Sequence, residues 1–231
     1  MERYLPVGIT LLTILLNAIG NLSDSSSIKE ISDKYNINPN EHFTPAPFTF
    51  SIWGVIYALL LYTTFTNYNQ ILNTQTKYGS IFSLFVISCI LNALWIQAWG
   101  KNLLLSSVIL IFLASILMLI TIELNKANVD KILIYTFGLY TAWAVVAALL
   151  NLSTFLINKN ILDNKNMKYI IVGILTILPF LVKDVFKNIL GKSILPMLLI
   201  FIWASLGIIM NGNNNLIFIA PLITSTLNIF L

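Results

Sequence analysis

Eight stretches of this chain are almost wholly apolar, and none carries Asp, Glu, Lys, Arg or His in its middle. They span residues 4–20, 48–68, 79–99, 103–124, 132–157, 169–182, 194–210 and 216–231. Glu123 stands at one run's end, and Lys183 and Asp184 flank another. A bilayer-crossing helix needs about 20 mostly apolar residues, within about 17–25. The pattern therefore predicts an all-α, polytopic transmembrane helix bundle. Runs 169–182 (with Pro179) and 216–231 are near or below the lower limit, so tilted or re-entrant segments are alternatives there and the span count is seven or eight.

Composition agrees. Of 231 residues, 58% are hydrophobic and 10% charged, against about 25% charged in soluble domains. Mean hydropathy is +0.86. A soluble chain of this length could not hide so much apolar surface. The net charge of +4 comes from loop lysines, which gives no support to nucleic-acid binding. The single cysteine, Cys89, lies in an apolar run and excludes an intrachain disulfide. Arg3, the first run and Ala18-Ile19-Gly20 also fit a cleavable signal peptide; a retained first helix is the expectation. The cation count does not orient the chain: Arg3, Lys77, Lys126, Lys131, Lys183, Lys187 and Lys192 fall on one side, Lys29, Lys34, Lys101, Lys159, Lys165 and Lys168 on the other.

The second run begins unusually. Phe43-Thr44-Pro45-Ala46-Pro47-Phe48-Thr49-Phe50-Ser51-Ile52-Trp53-Gly54-Val55-Ile56-Tyr57 carries two prolines and opens directly into apolar sequence. Proline is excluded from helix interiors but suits a helix start. The spacing predicts a Pro-stiffened loop feeding a membrane helix, with Trp53 and Tyr57 on one face. The preceding segment, within the long loop 21–47, holds Asp24, Lys29, Glu30, Asp33, Lys34 and Glu41, and its Ser23–Ser27 stretch could start a short amphipathic helix. Loops this long are usually functional or disordered.

Three amides lie inside runs: Asn17, Asn92 and Asn151. An unpaired amide in hydrocarbon costs on the order of 2 kcal/mol or more. Two readings stand for each: glue between helices, or a ligand contact. Their aromatic neighbours bear on the second. Asn92 and Trp95 share a face, with Trp99 a turn further. Tyr140, Trp143, Ala147 and Asn151 form a stripe. Ala144, Ala147 and Ala148 permit close approach of a helix or a flat ligand. Trp99 fits an interfacial aromatic belt, and Trp203 fits a lipid-facing or packing role. Trp53, Trp95 and Trp143 are not at run ends, and a belt explains them poorly.

Catalytic signatures do not emerge. One histidine, His42, without a cysteine cluster cannot build a zinc site; axial ligation of a haem-type iron is the alternative to a solvated loop residue. No nucleophile–base pair, paired carboxylates or phosphate loop is evident. The absence of a mid-run ionisable group weighs against an ion-driven pump. Asn21-Leu22-Ser23 matches a glycosylation sequon, a short pattern of little weight.

Taken together, three stretches resemble the TspO/MBR family, the tryptophan-rich sensory or translocator proteins. Phe43, Pro45, Phe48, Phe50, Trp53 and Tyr57 resemble its pattern leading into helix two. Leu91-Asn92-Ala93-Leu94-Trp95 resembles the helix-three motif, and Tyr140-Thr141-Ala142-Trp143 with Asn151 the helix-five motif. The resemblance covers about residues 4–157. Phe50 and Trp53 are three apart where short members have four, Phe48 replaces a usual tryptophan, and the chain continues beyond the fifth helix.

The resemblance implies a five-helix TspO-like core over residues 1–157, with loop 21–47 as pocket lid, and a C-terminal transmembrane extension of two or three helices over 158–231. It implies an intramembrane aromatic pocket for a porphyrin, another tetrapyrrole or a similar hydrophobic ligand. The site residues would be Phe43, Pro45, Phe48, Phe50, Trp53, Tyr57, Asn92, Trp95, Tyr140, Trp143, Ala147 and Asn151. The expected function is a non-enzymatic binding or sensing membrane protein that needs no cofactor or metal. It would be multi-pass in the cell membrane, surrounded by lipid, and able to form a homodimer. A small-molecule transporter or permease, or a structural subunit of a membrane complex, are the alternatives.

Overall fold

A computed structural model describes residues 2–22, 44–99 and 101–230. Phe43, His42 and the amphipathic-helix expectation at residues 23–31 lie outside the described residues.

Short polar caps punctuate the apolar runs. A 3-10 turn, Glu2–Tyr4, leads into α1 (Leu5–Leu22). A second 3-10 turn, Pro47–Ser51, opens α2 (Ile52–Thr66), and Asn67 breaks it from α3 (Tyr68–Asn73). A small hairpin follows, β1 (Gln75–Thr76) and β2 (Gly79–Ser80), antiparallel with Thr76 opposite Gly79. Gly79 sits at φ +108°, a conformation that favours glycine. Then come α4 (Ile81–Ala98), α5 (Leu103–Lys126) and α6 (Lys131–Asn158). Their first turns are closed by the side chains of Ser80, Asn102 and Asp130, each accepting a backbone N–H. Asp163 does the same for α7 (Asn164–Phe180).

The C-terminal part is more broken. Pro179 lies inside α7, where it lacks an N–H and crowds the preceding turn. The chain then makes a π turn, Leu181–Val185, and a short α8 (Lys187–Leu190) before α9 (Ile194–Met210). A 3-10 segment, Asn213–Phe218, precedes α10 (Ile219–Phe230).

Among the described residues, six helical stretches are long and apolar enough to cross a membrane: Glu2–Gly20, Pro47–Thr66, Ile81–Ala98, Leu103–Lys126, Lys131–Asn158 and Lys187–Met210. Runs 169–182 and 216–231 are helical as well but fall outside these six. Run 169–182 falls in a helix of 17 residues that the π turn continues, and run 216–231 in the shorter apolar helix Leu216–Phe230; these are the two runs for which tilted or re-entrant segments are the alternatives. The second run is not one helix to residue 68, and residues 79 and 80 belong to the hairpin.

The bundle is organised around α6. Two thirds (67%) of its most apolar window is buried, and it packs against α2, α5, α7 and α9. Gly138 makes the α9 contact possible: a Cβ there would stand 2.8 Å from Ser193 Cβ and 3.1 Å from Ser193 O. One hydrophobic core runs through both parts of the chain, from Ile56 and Phe85 to Phe201 and Phe218. Outward-facing Leu12, Leu15, Phe112 and Ile177 are exposed, as suits side chains solvated by lipid. The chain is a multi-pass membrane protein.

Candidate functional site

Trp53, in the first turn of α2, stands at the centre of an aromatic cluster. Its ring stacks on Trp95 of α4 with centroids 5.2 Å apart and on Tyr57 at 5.7 Å. The rings of Tyr140 and Trp143, from α6, meet it edge-on at 6.0 and 6.3 Å. Phe50, from the turn before α2, meets Trp143 edge-on at 6.2 Å. Trp99 extends the cluster, 6.0 Å from Trp95. Trp95, Tyr140 and Trp143 are buried; Trp53, Tyr57 and Phe50 are half-buried.

Asn92 ties the cluster together beneath the rings. Its Oδ1 accepts from Asn17 Nδ2 at 2.7 Å and from the Tyr57 hydroxyl at 3.3 Å. Its Nδ2 donates to the Tyr140 hydroxyl. One fully buried amide thus joins α1, α2, α4 and α6. Asn17, left out of the expected site, belongs to it.

Donors remain without acceptors. The indole Nε1 atoms of Trp95 and Trp143 are buried and have no hydrogen-bond partner among the described residues. Leaving such a group unpaired costs about 1–3 kcal/mol.

Asn151 is placed elsewhere. Its Oδ1 accepts from Ser106 and Ser107 of α5, at 3.0 and 3.1 Å. It shares an angular face with Tyr140, but eleven residues put it about 16 Å further along the axis, where α5 is the neighbour. Its Nδ2 is buried and unpaired. Both serines also reach the Leu103 carbonyl, so none of these hydroxyls depends on Asn151. Asn151→Leu is therefore expected to cost only what the added bulk of leucine costs, about 1–3 kcal/mol at most, less than the same change at Asn92, and to leave ligand affinity unaltered. Thermal unfolding and titration of the variant check both. Ala147 is half-buried; its neighbours Val145, Ala148 and Leu149 line an outward groove of about 530 Å³ between α5 and α6, with Ile111 and Met118.

The segment before α2 is seated on α9. Ala46 N–H donates to Gly207 O at 2.8 Å. Trp203 Nε1 donates to Thr49 O at 2.8 Å, and Asn211 Nδ2 to Thr44 O at 2.8 Å. Pro45 is buried in this segment, while the exposed Phe48 ring meets Trp203 edge-on at 5.5 Å and stays outside the cluster. Trp203 is a packing residue with a specific backbone acceptor. Sequence reasoning missed this seat; its signal is Trp, Gly and Asn spaced by four in an otherwise apolar helix.

Among the described residues, no group of three or more His, Cys, Asp or Glu could hold a metal ion. A family model described as TSPO-like protein matches residues 3–231, so the similarity runs through the C-terminal helices. No curated protein and no solved structure matches the chain.

Proposed function

The chain belongs to the TSPO-like protein family, and from that premise we propose that its aromatic cluster binds and senses a tetrapyrrole or a similar flat hydrophobic ligand. It is an integral membrane protein of the TspO type. The observation that supports the ligand most is the pair of unpaired, buried indole donors on Trp95 and Trp143, both flanking Trp53. Phenylalanine would fill most of the same space without them. An acceptor-bearing ring system that takes up these N–H groups removes their penalty on binding.

Aromatic faces add to this. Each good ring pair contributes about 0.5–1.5 kcal/mol beyond area burial. Trp53 is half-buried and held by ring contacts, so it is the ring that a flat ligand can displace or stack upon. Asn92 and Tyr140 then orient polar edges of the ligand. The site's polar groups are amides, phenols and indoles, which suit binding rather than turnover. A permease would place its broken helix at mid-depth beside the substrate. Here the break after Pro179 bears exposed Asp184, and the binding reading is preferred.

The test is a titration of the protein in nanodiscs with protoporphyrin, following tryptophan emission. Saturable quenching with a Kd in the micromolar range, about 8 kcal/mol of binding free energy, is expected. Quenching that rises linearly without saturation would remove the ligand.

A further inference from the structure

The C-terminal helix α9 touches no ring of Trp53, Trp95 or Trp143 among the ring contacts described, yet it grips the segment that delivers Phe50 and Trp53 to them. Three residues four apart make the grip. Trp203 and Asn211 donate to the carbonyls of Thr49 and Thr44, and between them Gly207 O accepts from Ala46 N–H. Spacing of four lays Trp203 and Gly207 on one stripe of α9, and Asn211, its C-cap, continues that line. Residues 44–49 therefore lie along the helix and are held at both ends and in the middle.

Gly207 also provides a notch. A Cβ at this position would stand 2.1 Å from Thr49 Oγ1 and 2.6 Å from Thr49 Cγ2. Thr49 is fully buried there, and its hydroxyl has no hydrogen-bond partner. The threonine is seated by shape against a bare backbone. Any side chain on residue 207 must move it. Phe50 is the next residue and reaches Trp143; Trp53, three residues on, lies in the first turn of α2.

We propose that Trp203, Gly207 and Asn211 are positioning residues for the aromatic cluster, and that the C-terminal extension serves to hold the 44–51 strap so that Phe50 and Trp53 meet Trp143 in one geometry. The ligand part of this claim rests on the proposed function; the geometric part does not. Binding sites lose affinity when their contacts must be ordered at the moment of binding, so release of the strap acts on affinity without touching a ligand contact.

The experiment compares full-length protein in nanodiscs with Gly207→Ala, Trp203→Phe and the double variant Gly207→Ala/Thr49→Ala. The double variant removes the two nearest atoms that the new methyl group meets, Oγ1 and Cγ2, and leaves Thr49 Cβ at 2.9 Å, so the recovery it gives is partial. Hydrogen exchange over residues 44–51 is expected to speed up about ten-fold in Gly207→Ala. The protoporphyrin Kd is expected to rise about five-fold with helix content unchanged. Trp203→Phe keeps an aromatic ring against Phe48 and loses the donor with part of the ring volume, and is expected to show a smaller change in the same direction. Return of exchange and Kd toward wild type in the double variant separates strap placement from a general loss of stability.

Faster exchange with unchanged Kd would overturn the positioning role, and so would unchanged exchange. If wild-type protein does not bind protoporphyrin, the ligand reading falls separately. The geometric claim is then decided by ¹⁹F spectra of 5-fluorotryptophan-labelled protein. Displaced Trp53 and Trp143 resonances in Gly207→Ala that return in the double variant support it; unmoved resonances refute it.

Discussion

Asn92→Leu is expected to lower the unfolding free energy by about 2–4 kcal/mol. Leucine matches asparagine in branching and heavy-atom count but is bulkier, so overpacking adds to the loss, and Asn151→Leu, which carries the same added bulk at a buried site, is the control that isolates the amide. Three partners lose it at once: Asn17 Nδ2, the Tyr57 hydroxyl and the Tyr140 hydroxyl. They do not lose equally. Asn17 keeps its bond to Thr13 O at 2.9 Å, and Tyr57 is half-buried. Tyr140 is only 2% exposed and bears the largest part. Single interhelical hydrogen bonds in membranes average about 0.6 kcal/mol with a maximum near 1.7, so a loss above that range would mark a node rather than a bond. Reversible denaturation in mixed micelles measures it. A loss below about 1 kcal/mol would mean the four helices are held by ring packing alone. The contrast with Asn151→Leu is the sharper observation: two buried helical amides, one with partners that depend on it and one without.

Much of the fold was legible because membrane helices leave few choices. Runs 4–20, 103–124, 132–157 and 194–210 match helices within a few residues. Hydropathy misses what the backbone does at polar boundaries. Residues 75–80 form a hairpin because Gly79 can turn at positive φ, and Ser80 then caps α4. Nothing apolar signals that. Runs 169–182 and 216–231 read as spans because they are greasy, but grease also suits a short helix covering a neighbour: α10 packs on α7 and α9.

The site was legible where local spacing sets which side chains share a face. Trp53 with Tyr57, Asn92 with Trp95, and Tyr140 with Trp143 each sit three or four residues apart, and the structure brings all six together. Spacing says nothing of depth, which is why Asn151 was grouped with Tyr140, about 16 Å away along the helix, and Trp143, about 12 Å away. Phe48 turns to Trp203 instead of the cluster because the strap lies on α9. The seat on α9 was illegible for a different reason. Its acceptors are backbone carbonyls of Thr44 and Thr49, and no side-chain pattern in the strap announces a backbone partner.

Trp95→Phe and Trp143→Phe are expected to pull stability and affinity apart. Each removes a buried donor that has no hydrogen-bond partner among the described residues and keeps an aromatic ring against Trp53. Loss of ring volume is destabilising, removal of the unpaired N–H offsets it, and the net change is expected within about 1.5 kcal/mol. Truncation to alanine is the wrong test. Trp143 is only 1% exposed, and Trp→Ala in such a site costs about 3–5 kcal/mol whatever the site does. With ligand bound the sign for the indole reverses. A hydrogen bond that forms only in the complex contributes about 0.5–1.5 kcal/mol, so each variant should weaken protoporphyrin binding about two- to ten-fold, and the double variant about thirty-fold if the two add. Both residues flank Trp53, so departure from additivity measures their coupling through that ring. Thermal unfolding beside titration in nanodiscs reads the two quantities on the same samples. Affinity that falls while the unfolding temperature holds assigns the indole donors to a ligand. Unchanged affinity in both variants assigns the cluster to the core, and the search for a ligand then moves to another face of the bundle.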